Sequence, residues 1–193
     1  MSDALLAAII AGSVAISVAL LTQFAAEAYR RHREGSSVAA ALAGELAAYS
    51  PAINTLSEEL GRWLKTVAAG DREFLVIRTI ERPTDVVFPE MVEKLGLLGV
   101  VLVEKVVFVY GQIHAFRVGH ELISQHHLTM DDDELMGRLT SCVFALMAAH
   151  EEGEQLINLL KARAQRRFVP GSRSFWWTVC PLLVVGSALL VYR

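Results

Sequence analysis

Residues that build metal centres and disulfide frameworks are scarce in this sequence. Its two cysteines are Cys142 and Cys180. Neither belongs to a C-x-x-C pattern or lies at the spacing of a cysteine–histidine metal site. Cys142 falls on the apolar stripe of a predicted helix, and Cys180 lies in an apolar run. We therefore expect two free thiols and no disulfide.

Motifs of catalysis and of nucleotide binding are also missing. The chain contains no G-x-S-x-G, no G-x-x-x-x-G-K-[ST] and no H-E-x-x-H sequence. Among its six histidines, His150 is followed four residues later by Glu154, and this pair could hold a metal ion from one helix face. Because the E-x-x-H pattern of di-iron bundles does not occur, we predict a protein that is not an enzyme and has no cofactor or metal site. A metal-dependent enzyme is kept as an alternative.

Positive charge is not in excess over the whole chain, whose formal net charge is −3. That balance argues against a nucleic-acid partner held by bulk charge. Charge is absent altogether from residues 4–26. As a helix rising 1.5 Å per residue, this stretch would span about 30 Å, the thickness of a bilayer's hydrocarbon core. We predict a transmembrane helix over residues 4–26.

A cleaved signal peptide is the alternative for residues 4–26, because Ala26, Glu27 and Ala28 resemble a cleavage site. Two features favour a retained anchor instead. The residues before the stretch include an acid and no base. The apolar run is also longer than the roughly 7–15 residues of a signal core.

A second apolar run, residues 175–192, predicts another transmembrane helix. Basic residues flank both runs on the side of the middle segment, so the positive-inside rule places residues 36–168 in the cytoplasm, and aromatic residues would mark the two interfaces. The same basic side chains could recognise anionic lipid head groups, and the sequence does not separate that role from ordinary topology. The predicted interface residues are Arg30, Arg31, Arg33, Arg163, Arg166, Arg167, Arg173, Trp176, Trp177 and Tyr192.

Small residues recur four positions apart in two of the predicted helices. At this spacing they allow two helix backbones to approach closely. We expect the first transmembrane helix to pack against the second one or against another copy of the chain, and we expect a close neighbour at the row in the middle segment as well. The rows are Ala7, Ala11, Ala15 and Ala19, and Gly111, Ala115 and Gly119.

The middle segment carries apolar residues at alternating steps of four and three along three stretches. This pattern predicts three long helices, and Pro89 starts a short one that runs to Leu95. Helices of this length pack as an antiparallel bundle. The stripes are Leu42, Leu46, Tyr49, Ile53, Leu56, Leu60, Trp63 and Val67; Leu102, Val106, Val109, Ile113, Phe116, His120 and Ile123; and Leu135, Leu139, Cys142, Leu146, Ala149, Gly153, Leu156 and Leu160.

Local signals predict where these helices begin and end. Gly35 breaks or bends the first membrane helix, Pro51 causes a kink or a restart, and the helix ends near Gly70. Thr129 is the expected N-cap of the last helix. Since both predicted anchors must reach one membrane face, residues 71–98 have to cross the length of the bundle unless a long helix bends. The predicted fold class is an all-α, membrane-anchored antiparallel helical bundle with N- and C-terminal transmembrane helices.

Residues 100–116 are the most apolar part of the middle segment and raise the alternative of a third span. Glu104 and Lys105 would then lie near mid-bilayer, where each costs roughly 2.5–3.5 kcal/mol on insertion scales. That cost favours a central helix of the bundle. The alternative function that goes with a third span is a channel or transporter component.

The segment F-P-E-M-V-E-K-L-G-L-L, residues 88–98, is followed by a valine-rich helix that reaches Val109 and Tyr110. This arrangement resembles small uncharacterised bacterial membrane proteins in which an N-terminal anchor precedes a helical domain with a similar K-L-G-L-L turn. The resemblance implies a bacterial inner-membrane origin and no particular activity.

These observations together favour a two-pass inner-membrane protein that displays a cytoplasmic helical bundle. The expected role is binding or scaffolding. The expected partners are the lipid bilayer and either further copies of the chain or another membrane protein, with no nucleic acid.

Overall fold

The computed structural model describes residues 3–78 and 85–169, and the predicted second span over residues 175–192 lies outside them. The long helices are α1 (Asp3–Ala68), α3 (Val100–His126) and α4 (Asp132–Gln165). Between α1 and α3 lie a 3-10 turn (Arg72–Phe74), the short helix α2 (Val87–Met91) and a 3-10 helix (Val92–Leu98). No strand occurs in the described ranges. The all-α prediction is therefore confirmed.

The chain divides into two compact units, which are described separately. One unit combines Met1–Glu34 with Arg166–Arg193, and the other is Gly35–Gln165. In the first unit, the start of α1 is apolar and unburied, and α1 is the helix of the described ranges that is long and apolar enough to cross a membrane. Phe24, for example, is 68% exposed.

Gly35 and Pro51 were expected to break or bend the helix and to cause a kink or a restart, respectively. The break and the restart are wrong, because α1 continues through both positions, whereas the bend and the kink stay predictions. Gly35 is buried, and a Cβ atom there would lie 3.0 Å from the backbone oxygen of Leu97 and from Nη2 of Arg163. Glycine at this position therefore permits a close approach of Leu97 and Arg163 within a continuous helix. Pro51 lies on an exposed side of α1, where water can replace the backbone hydrogen bond that proline cannot make.

Apolar stripes of α1, α3 and α4 form the core of the Gly35–Gln165 unit, as the heptad spacing predicts. Leu60 is 1% exposed, and Leu139 and Leu156 are fully buried. All eight stripe positions of α4 are buried. In α1, Tyr49 is half-buried, together with Leu56 and Trp63.

Contacts between the helices give their directions. A Cβ atom on Gly119 would lie 2.9 Å from Sγ of Cys142, and one on Gly153 would lie 3.8 Å from Val109. Helices α3 and α4 are therefore antiparallel. The Gly35–Ala68 part of α1 runs parallel to α3. Glu45 contacts Tyr110, and Trp63, which comes later in α1, contacts His120, which comes later in α3.

The segment between α1 and α3 crosses the length of the bundle, which confirms one of the two routes expected for it. At its start, Arg72 donates to Oδ1 of Asp132 at 2.9 Å and to the backbone oxygen of His127, beside the α3–α4 turn. At its end, Leu97 lies beside Gly35. The segment thus returns the chain to the end of the bundle from which α3 starts.

Two helix starts differ from the expectation. Asp131 accepts the backbone N–H of Glu134 at 2.7 Å and caps α4, whereas Thr129 donates to the backbone oxygen of His126. The acid is preferred because its carboxylate is positioned to accept from the first turn. Helix α2 begins at Val87, two residues before Pro89. The expected end of α1 near Gly70 is confirmed, since α1 stops at Ala68 and Gly70 has a φ of 76°.

Candidate functional site

The outer face of α3, defined here as Val100, Val101, Val107, Phe108, Gly111, Ala115 and Val118, is exposed and mostly apolar, and the exposed acid Glu104 lies on the same face one turn before Phe108. Phe108 is 46% exposed and Val118 is 53% exposed. Gly111 lies between them with open space where its Cβ would be. Large apolar side chains therefore surround a shallow centre formed by Gly111 and Ala115.

The small residues of the two predicted packing rows differ in their surroundings, even within one row. Gly119 is closely packed against Cys142 of α4, whereas Gly111 and Ala115 face away from the core. In the first unit, Ala11, Ala15 and Ala19 are exposed along α1. Ala7 also belongs to α1, but its side chain is not among those described. Among the described residues of the two rows, Gly119 is therefore the position at which another helix approaches closely.

The predicted interface arginines fall into two groups. Arg30, Arg31, Arg33, Arg166 and Arg167 are all exposed and belong to the first unit. Arg163 is half-buried in the other unit, where it donates to Oγ of Ser36 at 3.4 Å and to the backbone oxygen of Leu97 at 3.5 Å. Arg173, Trp176, Trp177 and Tyr192 lie outside the described residues.

In the first unit, a contact that the sequence did not predict joins residues 29–33 to residues 166–168. The ring atom Nε2 of His32 lies 2.9 Å from the backbone oxygen of Arg166, across a sequence separation of 134 residues. The ring of Phe168 packs edge-on against Tyr29 at 5.4 Å and tilted against His32, also at 5.4 Å. We call this contact the Phe168 clip.

In the bundle, Glu45 holds the start of α2 through hydrogen bonds from a different helix. Its Oε1 accepts the backbone N–H groups of Val86 and Val87 at 2.9 Å, and its Oε2 accepts that of Phe88 at 3.1 Å. Oε2 also accepts the hydroxyl of Tyr110 at 2.6 Å. A carboxylate is favoured at this position because the first N–H groups of a helix lack partners and carry partial positive charge. Glu45 thus supplies the cap that α2 lacks in its own sequence.

A second polar group lies next to Glu45. The guanidinium of Arg117 forms an ion pair with Asp85, and the hydroxyl of Tyr49 donates to Oδ1 of Asp85 at 2.7 Å. Burial opposes ionisation of Asp85, but its bonds from Arg117 and Tyr49 hold its pKa below the usual range. Burial and the bond to Asp85 raise the pKa of Tyr49 to about 12, so its hydroxyl keeps its proton and donates it.

This network holds the start of α2 against α1 and α3, and its tyrosine hydroxyls are not activated as nucleophiles. Burial and the bond to Glu45 raise the pKa of Tyr110, and the ring of Phe88 stacks on Tyr110 with a centroid distance of 4.0 Å. The heptad pattern could not reveal the network, because its members lie beside the apolar stripes. One feature of the local sequence could have indicated a distant cap. Val86, the residue before α2, has no side chain that can accept a hydrogen bond from the start of the helix.

Two histidines of the bundle, His120 and His150, have different surroundings. His120 is 3% exposed between Trp63 and Phe116, and its Nε2 has no hydrogen-bond partner among the described residues. Nε2 of His150 lies 3.7 Å from Oε1 of Glu154, and His150 lines a shallow recess together with Leu46 and Ile157. The described ranges contain no group of three or more metal-ligating side chains.

Comparisons with known proteins found no family model, no curated protein and no solved structure that matches this chain.

Proposed function

We propose that the protein is a two-pass membrane protein that displays a helical bundle as a binding or scaffolding module, and that its bundle pairs with a second copy of the chain. The observation that carries the proposal is the start of α1, where a helix of membrane-spanning length is apolar and unburied. Exposed side chains such as Ile16 and Phe24 have no cover from the rest of the described chain. A bilayer would supply that cover.

The proposed orientation places the bundle in the cytoplasm of a bacterial cell, with both spans in the inner membrane. Arginines at positions 30, 31, 33, 166 and 167 support it, because basic residues next to a span are retained on the cytoplasmic side. The long apolar helix near the N-terminus agrees with an anchor. The second span is proposed from the sequence of residues 175–192.

Pairing of two copies is proposed through the outer face of α3. Apart from Glu104, the exposed residues of this face are apolar, and clustered exposed apolar side chains are typical of protein–protein contact sites. Large side chains such as Phe108 and Val118 flank the small residues Gly111 and Ala115, so two copies of the same face can place large groups of one against the small centre of the other. A self-complementary patch of this kind suits a two-fold dimer. A different membrane protein is the alternative occupant.

Cysteine accessibility in intact cells tests the orientation. Single cysteines at Asp71, at Asp132 and at Ser2 are introduced into a chain with Cys142→Ala and Cys180→Ala. We expect the thiols at 71 and 132 to react with an impermeant maleimide only after the cells are permeabilised, and the thiol at 2 to react in intact cells. Labelling of 71 and 132 on opposite sides would instead support a span within α3 and the channel alternative.

Disulfide crosslinking in native membranes tests the pairing. The variant Ala115→Cys, in the same background, is expected to form a dimer on mild oxidation. Its matched control is Ala48→Cys, an exposed alanine on α1, which is expected to stay monomeric. Absence of any adduct at position 115 would contradict the pairing, and an adduct of another mass would identify a different membrane protein as the occupant.

A further inference from the structure

Two arginine-rich stretches meet within the first unit, although the sequence separates them widely. The Phe168 clip brings Arg166 and Arg167 alongside the turn of α1 that carries Arg33, through the His32–Arg166 hydrogen bond of 2.9 Å. The ring contacts of Phe168 with Tyr29 and His32, both at 5.4 Å, reinforce this placement. The basic side chains of the two stretches therefore share one region.

The charge of this region is positive after its internal pairs are counted. Residues 27–34 and 166–168 contain five arginines and two glutamates. Glu27 accepts from Nε of Arg30 at 2.9 Å and from Nε of Arg31 at 2.8 Å. Glu34 lies 3.4 Å from Arg30. The acids are thus paired with Arg30 and Arg31, and Arg33, Arg166 and Arg167 form no ion pair with another described residue.

The position of the region along α1 fits the head-group layer of a bilayer. Tyr29 and Arg33 lie a few residues beyond the end of the charge-free stretch, which at 1.5 Å per residue corresponds to about 4–10 Å. The polar layer on each side of the hydrocarbon core is about 5–8 Å thick. Aromatic side chains such as Tyr29 are also typical of this depth.

We propose that Arg33, Arg166 and Arg167, held together by the Phe168 clip, form a binding site for the phosphate of an anionic phospholipid. The proposal rests on the membrane anchoring proposed above. Guanidinium groups suit this ligand because their planar donors match phosphate oxygens in pairs. The site depends on both stretches, so it requires the clip in addition to positive charge.

Lipid titration of the full chain in a mild non-ionic detergent tests the site. Short-chain phosphatidylglycerol and short-chain phosphatidylcholine are added separately, and bound lipid is counted by native mass spectrometry. We expect phosphatidylglycerol to bind more tightly. Replacing Arg33, Arg166 and Arg167 together by Gln should weaken its binding on the order of 100-fold, since each base near an anionic surface contributes about a fivefold factor.

Two further variants separate the site from general electrostatics. The matched control replaces Arg62, Lys65 and Lys94, three exposed bases of the bundle, by Gln, which removes the same charge and should change the affinity less than about threefold. Phe168→Ala keeps every charge but removes the clip, and we expect it to weaken phosphatidylglycerol binding. Equal losses in the triple variant and in the control, or unchanged binding in the triple variant, would overturn the proposal.

Two more measurements distinguish the possible failures. Inorganic phosphate is titrated as a competitor, and displacement of phosphatidylglycerol at millimolar phosphate would overturn the lipid assignment in favour of a free-phosphate site. Extraction of native membranes with alkaline carbonate tests the anchoring itself. A chain that stays in the membrane but does not discriminate between the lipids overturns the lipid site alone, whereas release by carbonate overturns the proposed function as well.

Discussion

The two parts of α1 have similar apolar content but very different surroundings. In the part up to Glu34, apolar side chains such as Val14, Ile16 and Phe24 are exposed on all sides of the helix. In the part from Gly35 onward, the apolar residues follow one stripe, and Leu42 and Leu60 on that stripe are buried against other helices. The apolar content of a helix alone therefore does not predict whether its apolar side chains are buried in the bundle or exposed.

The difference between the two parts lies in the pattern of their charges. Glu58, Arg62 and Lys65 lie off the stripe in the later part and are exposed, so that part has a polar side for water and an apolar side for the bundle. The earlier part has no charged residue over residues 4–26, and so it has no side that prefers water. The pattern of charges thus indicates that the two parts need different environments.

The largest expected effect comes from the buried stripe. Leu60→Ala removes a side chain that is 1% exposed, and we expect it to lower the free energy of unfolding by about 2–5 kcal/mol because it leaves a cavity. Urea unfolding of the detergent-solubilised chain, followed by circular dichroism, measures the change. The matched variant Leu20→Ala, in the exposed part of α1, should leave the unfolding of the bundle unchanged. Equal losses for both variants would contradict the distinction between the two parts.

A smaller loss is expected when the Glu45 cap in the later part of α1 is removed. Glu45→Gln replaces an accepting oxygen by an NH₂ group, which leaves at least one of the N–H groups at Val86–Phe88 without an acceptor. We expect a loss of about 1–3 kcal/mol in the free energy of unfolding, together with faster hydrogen exchange of those amides. The control Glu58→Gln, at an exposed position of α1, should change the stability by less than about 0.5 kcal/mol. Unchanged amide exchange in Glu45→Gln would contradict the capping role.

The smallest expected effect depends on pH. Burial lowers the pKa of His120, although the charge of Glu59 opposes this shift. The unfolded chain therefore takes up a proton at a higher pH than the folded chain does, so stability falls as the pH drops through the usual histidine range. His120→Leu should reduce the loss of Tm between pH 7.5 and pH 5.5. The exposed control His126→Leu should keep the full loss, and a pH dependence that is the same in both variants would rule out His120 as its source.

The sequence predicted what depends on local pattern. The stripes of α3 and α4 and the end of α1 near Gly70 follow from residue spacing and from the presence of glycine, and the structure confirms them. Gly35 was misjudged, because the reason for a glycine there is the approach of Leu97, more than sixty residues away in the chain.

The features of the candidate site were harder to predict for a related reason. The Glu45 cap joins residues 41–43 positions apart, and the Phe168 clip joins residues farther apart still. Single-residue preferences of glutamate or phenylalanine contain no information about such partners. The exposed row of Gly111 and Ala115 was visible in the sequence, but only the packing of Gly119 on Cys142 separates it from the buried side of α3.

Capping of α2 by Glu45 has a consequence for the order in which the chain folds. A helix of five residues is far shorter than the roughly 12–15 residues that an isolated helix needs in water. Because its cap belongs to α1 and its packing partner Tyr110 belongs to α3, α2 gains its stabilising contacts only after those two helices have met. Long-range closure of this kind is slow compared with helix formation. We therefore expect α2 and the residues next to it to be the last part of the bundle to form and the first to open.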